Sequence, residues 1–260
     1  EVVVANRWEE SASDSARDYL TGLAGEIRKT DQVDLSSVVL RDPSAARALT
    51  RHARNSDVDL IVMTTHGRKG AARVWLGSVA EGVIRDSPVP VLLLRPDEST
   101  RGAGRRGRLF ERVLIALDGS RNAEQALAFA AMLGALGGAR FRLLRVVDPV
   151  VVGGAVPAAE MGAFAGDALV RERAGTYVSE RVEWLRTLGL EADGAIGVDT
   201  SAPHAILHHA EREEADLVVV GTHGRKGLDR VLLGSVAEAV IRGTTRAVLV
   251  VPRAWRGIGG

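Results

Sequence analysis

The sequence has no cysteine at all. Disulfides, thiol catalysis and cysteine-based zinc sites are therefore excluded. It has no excess of either charge: 34 Lys and Arg face 33 Asp and Glu, a net +1. No global field draws such a chain to nucleic acid or to a membrane. No apolar run approaches the roughly 18 residues that a membrane span requires. The first residues show no basic start, apolar stretch and small-residue cleavage site. The default expectation is a cytoplasmic protein. With 46% hydrophobic and 26% charged residues, the composition is that of a globular chain. Its 260 residues leave room for one large domain or two small ones.

An internal repeat decides between them. Thr65–Arg85 recurs as Thr222–Arg242 at an offset of 157, with 17 of 21 positions identical. The chain is two copies of one domain. We expect a first copy over residues 1–96, a linker over 97–108 and a second copy over 109–260. The linker, Asp97–Arg108, has no apolar anchor and is rich in Gly and Arg. It contains no aromatic residue to stack on bases, so it reads as a solvated linker rather than a nucleic-acid patch.

In the second copy, Arg112–Asp118 is an apolar strand running into an Asp-Gly-Ser turn. A helix over Asn122–Leu136 and a strand over Arg140–Val147 follow. Val150–Gly166 reads as a long loop. Val178, Val182 and Leu185 mark the buried face of a helix, and Leu190–Val198 a strand. Ser201 reads as the N-cap of a helix with Pro203 in its first turn, ending near Glu214. A strand over Asp216–Val220, a loop over Gly221–Gly234, a helix over Ser235–Arg242 and a strand over Ala247–Val251 complete the copy. Alternating strands and helices, with nearly continuous apolar strands, predict an α/β fold with parallel sheets covered on both faces.

The first copy starts later in this pattern. Val2–Ala5 corresponds to Leu143–Val147, so one strand–helix unit of the repeat has no counterpart in the sequence. The remaining elements are expected at Ala16–Arg28, Leu35–Leu40, a helix from Pro43 to about Arg54, Val58–Met63, Ser78–Arg85 and Val89–Leu94. The last strands of the two copies, Val89–Leu94 and Ala247–Val251, are apolar edges that need a partner.

The chemistry lies in the loop after Val220. Gly221-x2-Gly224-x9-Gly234-Ser235 follows a strand and opens a helix. Glycines there allow close backbone approach and positive φ. The helix start offers N–H groups and a positive dipole end to an anion. Ser235 adds a hydroxyl, and Asp118 ends another strand at the same sheet edge, where ligands of such sheets bind. Neither G-x-x-x-x-G-K-[ST] nor G-x-G-x-x-G after the first strand is present, which excludes a P-loop and gives no support to a dinucleotide fold. The competing reading is that the glycines only form tight turns.

Gly221, Gly224, Gly234 and Ser235 at this spacing, followed by Val236, resemble the ATP-binding signature of the universal stress protein family. Asp118-Gly119-Ser120 and Asp199–Pro203 are similar to other motifs of that family. The resemblance covers both copies. It implies a five-stranded parallel sheet in the order 3-2-1-4-5 in each and pairing of the copies through their last strands as a pseudo-dimer, with homodimers possible. It also implies ATP, carrying Mg²⁺ or Mn²⁺, in the second copy. By position, Asp118 and Val146 would meet the nucleoside and Val220 and Gly221 the ribose. Gly224, Gly234, Ser235 and Val236 would hold the phosphates. The first copy keeps Gly67, Gly77, Ser78 and Val79, but Thr64 stands in place of Gly221 and Asp118 has no counterpart. Its site is read as degenerate. The implied role is a nucleotide-responsive stress or signalling module; the alternative is an interaction protein that works through its surfaces. No catalytic base or arginine finger can be named.

His66 and His223 are either catalytic or phosphate-contacting residues, or turn histidines bonded locally; the lack of a carboxylate nearby favours the second. His204 and His208 have metal-ligand spacing but no third ligand, and read as a solvated helix face. Arg68-Lys69 and Arg225-Lys226 suit phosphates or a solvated loop tip. Trp75 and Leu232, at equivalent positions, read as packing residues.

Overall fold

In a computed structural model of the chain, the described residues are 2–6, 10–30, 34–64, 76–95, 110–149, 160–222, 233–255 and 257. The linker 97–108, Gly67, Gly224, His66, His223, both Arg-Lys pairs, Trp75 and Leu232 lie outside them.

The first copy contains β1 (Val2–Asn6), α1 (Glu10–Thr30), β2 (Ser37–Arg41), α2 (Ala45–Asn55), β3 (Ile61–Thr64), α3 (Ser78–Asp86) and β4 (Val91–Leu94). The second contains β5 (Arg112–Leu117), α4 (Arg121–Gly137), β6 (Arg140–Val147), α5 (Glu160–Thr187), β7 (Glu191–Val198), α6 (Ala202–Arg212), β8 (Leu217–Gly221), α7 (Ser235–Gly243) and β9 (Ala247–Val251). Each expected element is present. The long loop is shorter than expected, because α5 already begins at Glu160. Gly162 and Gly166 each cost about 1 kcal/mol relative to alanine, and they are carried in a 28-residue helix whose later turns bury Val178, Val182 and Leu185.

The α/β class stands, but the strands are partitioned differently from two separate sheets. One seven-stranded sheet runs β3-β4-β9-β8-β5-β6-β7, and β1 pairs with β2 in a second sheet. Within the second copy the order β7-β6-β5-β8-β9 is all parallel. β4 and β9 pair antiparallel, Leu92 opposite Leu249, and so join the copies in one sheet. In the second copy β5 sits between β6 and β8. The first copy has no such strand in this sequence, which is why β1-β2 and β3-β4 fall into different sheets.

The period of two along each strand builds two cores. Leu217 and Val219 of β8 face α4 and α5, with Ile115, Phe129, Phe141 and Leu185. Val218 and Val220 face the other side, with Val240 and Ile241 of α7 and Ile206 of α6. Both faces are buried, so the strand can be apolar throughout. The second core also takes Val83 and Ile84 of α3 and Leu93 of β4, so both copies share it. The Arg95 side chain, just past β4, donates to the Ile241 carbonyl in the last turn of α7, satisfying an acceptor that the helix end leaves open.

Candidate functional site

β5 is the strand at which the second copy's sheet reverses direction of growth: its chain neighbour β6 lies on one side and β8 on the other. The crossover α4 covers one face and α6 the other. Their separation opens a crevice beyond the carboxyl ends of β5, β6 and β8. A cavity of about 460 Å³ occupies it.

Seven of the eight residues named for nucleotide binding line this cavity: Asp118, Val146, Val220, Gly221, Gly234, Ser235 and Val236. The eighth, Gly224, is outside the described residues. The walls are apolar, from Ala116, Leu144, Ile206 and Ala237. The polar groups lie at two opposite rims. The Asp118 carboxylate accepts the Ser120 N–H at 2.9 Å, and Ser120 in turn caps α4, its hydroxyl accepting from Ala123 N at 3.2 Å. Gly119 between them adopts φ +75°, a left-handed turn open to glycine. The Asp-Gly-Ser sequence thus folds the strand end back and presents Asp118 at the mouth.

The opposite rim is the start of α7. Gly234 is its N-cap, with no side chain to cap the helix. The first-turn N–H groups therefore lack intrahelical partners and, with the Ser235 hydroxyl, border the cavity. Gly234 N donates to the Thr222 carbonyl at 2.7 Å, and Thr222 N to the Val251 carbonyl at 3.0 Å. These bonds tie Thr222 to the start of α7 and to the end of β9. The expectation of positive φ is corrected at Gly221 and Gly234: Gly234 has φ −59° and ψ 141°. Gly221 ends β8, paired with Val251.

Sequence reasoning missed Arg145, Asp148 and Thr222, which also border the cavity. Arg145 donates to the Leu117 carbonyl at 3.3 Å, bracing the residue before Asp118. Its guanidinium lies 5.8 Å from the Tyr177 ring centre. The Tyr177 hydroxyl donates to the Glu124 carboxylate, and burial, reinforced by that bond, pushes the phenol well above its usual range. Thr222 carried a usable signal, since it opens the repeated segment. Arg145 and Asp148 sit at the end of β6 among Leu144, Val146, Val147 and Pro149, and no motif spacing marks them.

In the first copy, Gly77 caps α3 with φ −64° and ψ 146°, nearly the values of Gly234, and Ser78 and Val79 open the helix. The helix-start half of the site is repeated. The half built by β5 has no counterpart among the described residues. Asp199 is not among the cavity's lining residues. Its carboxylate accepts the Ser201 N–H at 2.8 Å and pairs with His204 Nδ1 at 2.6 Å, and the His204 bond, then the Ser201 bond, hold it below the usual carboxylate range. Among the described residues no group of three or more His, Asp or Glu could hold a metal ion. His204 and His208 stack at 6.4 Å on an exposed face.

The sequence matches the model of the universal stress protein family over residues 3–95 and 109–252. A universal stress protein of Mycobacterium tuberculosis is 28% identical over 198 residues, 75% of this chain and 62% of that protein. One from Mycolicibacterium smegmatis is 30% identical over 213 residues, 82% of this chain and 67% of its own length. The chain thus spans a little under two thirds of the length of the M. tuberculosis relative. Among solved structures, a universal stress protein from Archaeoglobus fulgidus superposes with a TM-score of 0.63 at 26% identity, covering 94% of this chain and 78% of that one.

Proposed function

The chain belongs to the universal stress protein family, and from that premise we propose that its second copy holds ATP as the sensing half of a nucleotide-responsive stress or signalling module. One observation carries the proposal: residues chosen from sequence alone converge on a single cavity at the sheet's switch point. The donors and acceptors suit the ligand. N–H groups and a hydroxyl at the start of α7 offer what phosphate oxygens accept. Across the mouth, the Asp118 carboxylate accepts from ribose or adenine donors. Between them the apolar wall of Ala116, Leu144, Val146 and Ile206 fits a base. A divalent ion would enter with the nucleotide and neutralise phosphate charge. Asp118 and Asp148 are the carboxylates that line the cavity and could face it.

In this reading α7 is also the route outward. Its first turn meets the ligand, and its Val240 and Ile241 share a core with α3 and β4 of the first copy. Occupancy would therefore bias the β4–β9 junction, through which the two copies form a pseudo-dimer. The first copy serves as the partner surface. The domain limits 1–96 and 109–260 belong to the same proposal.

Calorimetric titration with ATP tests it. We expect saturation near one site per chain. Gly234→Val, which adds bulk where helix start and phosphate should meet, is expected to abolish binding while circular dichroism stays unchanged. Two equal sites, or full affinity in Gly234→Val, would contradict the assignment.

A further inference from the structure

Gly221 borders the cavity, and a glycine there would ordinarily be credited to the ligand. The geometry gives it another cause. A Cβ placed on Gly221 would lie 2.6 Å from Asn122 Oδ1, 2.9 Å from Asn122 Cγ and 3.4 Å from the Asn122 main-chain carbon. The first two distances are closer than non-bonded atoms approach, and the third limits any retreat. Asn122 is 4% exposed and stands in the first turn of α4, four residues after Asp118. Its Nδ2 donates to the Val251 carbonyl at 3.1 Å. That carbonyl also accepts Thr222 N at 3.0 Å, and the Thr222 carbonyl accepts Gly234 N at 2.7 Å. The Thr222 hydroxyl accepts Arg253 N at 3.2 Å. One buried amide therefore ties the helix that follows Asp118 to the ends of β8 and β9, from which the Thr222–Gly234 clamp and the start of α7 are hung.

We infer that Asn122 is the positioning residue of the cavity, and that residue 221 is glycine to make room for its side chain rather than for a ligand. Both rims of the site are set by it: Asp118 through α4, and Gly234 and Ser235 through Val251 and Thr222. The inference rests on the proposed nucleotide reading only for its ligand; the packing claim is independent. It also changes the meaning of Thr64. In the first copy this position ends β3. A threonine there is no obstacle to an anion at the start of α3.

A double-mutant cycle separates the two causes. In the wild-type background, Gly221→Ala forces a buried, hydrogen-bonded amide from its place and is expected to shift the unfolding equilibrium at least about tenfold. In the Asn122→Gly background the same change is expected to cost no more than about twofold. Asn122→Gly alone is expected to weaken ATP binding about tenfold, and adding Gly221→Ala to it should weaken binding no further. An equal cost of Gly221→Ala in both backgrounds, for stability or for ATP affinity, overturns the inference. So does unchanged ATP affinity in Asn122→Gly. If Gly221→Ala does not fold, recovery of a folded chain in the double variant is the expected result, and an equally unfolded double variant counts against it. If the wild-type chain binds no ATP, the functional proposal fails, while the stability cycle still decides the packing claim.

Discussion

Gly134, in the last turn of α4, sets two effects against each other. Replacing an interior helical glycine by alanine gains about 1 kcal/mol of helix propensity. Here the added Cβ would lie 2.1 Å from Phe141 Cζ, on a ring that is 2% exposed. Overpacking of that kind costs about 1–3 kcal/mol, so packing wins. Gly134→Ala is expected to lower stability by up to about 2 kcal/mol in urea unfolding, and Phe141→Leu in the same chain to recover part of it. His209 gives a pH dependence. It is 9% exposed on α6, and burial, then the nearby Arg212, push its pKa below the usual histidine range. The unfolded chain therefore takes up this proton at higher pH than the folded one does. Stability is full above about pH 6.5, the unfolded value, and falls as pH drops toward the lowered folded value. His209→Gln should flatten the decline in thermal midpoint between about pH 7.5 and 5.5; an unchanged slope would assign it to other groups. The sequence marked Asp118, Gly234 and Ser235 because their backbone roles are local. It also marked Gly221, but Asn122, the reason for that glycine, is 99 residues away and invisible to spacing.

Elements were legible where caps and periodicity agree. Ser201 was read as an N-cap, and its hydroxyl accepts from His204 N at 3.4 Å, while Val178, Val182 and Leu185 are all buried on α5. The onset of α5 was not legible, because Gly162 and Gly166 resemble loop residues when counted by composition. α6 provides one wall of the cavity through Ala202 and Ile206, so its first turn matters to the site. Ser201→Ala removes the cap and is expected to cost about 1 kcal/mol, read as a lower urea midpoint at unchanged slope. A loss below about 0.3 kcal/mol would mean that the long 3.4 Å bond contributes little.

At the scale of the molecule, the antiparallel β4–β9 pair makes one sheet out of two copies. The sequence showed two apolar last strands in need of partners. It did not show that the first copy's own strands would separate, because that follows from the place β5 holds between β6 and β8. Leu92 is 3% exposed and, from the first copy, enters the core built around α4. Leu92→Ala is expected to cost about 2–5 kcal/mol and to shift a single calorimetric unfolding transition as a whole. Two transitions, only one of them shifted, would mean that the copies unfold independently.

The central claim is that the crevice between α4, α6 and α7 is the nucleotide site. Hydrogen exchange of the full chain with and without ATP tests it most directly. Slowed exchange is expected in two separated segments together, the turn after β5 around Asp118–Ala123 and the first turn of α7 from Ser235 to Glu238. Binding of ATP with protection confined to the first copy, or to the outer face of α5, would contradict it.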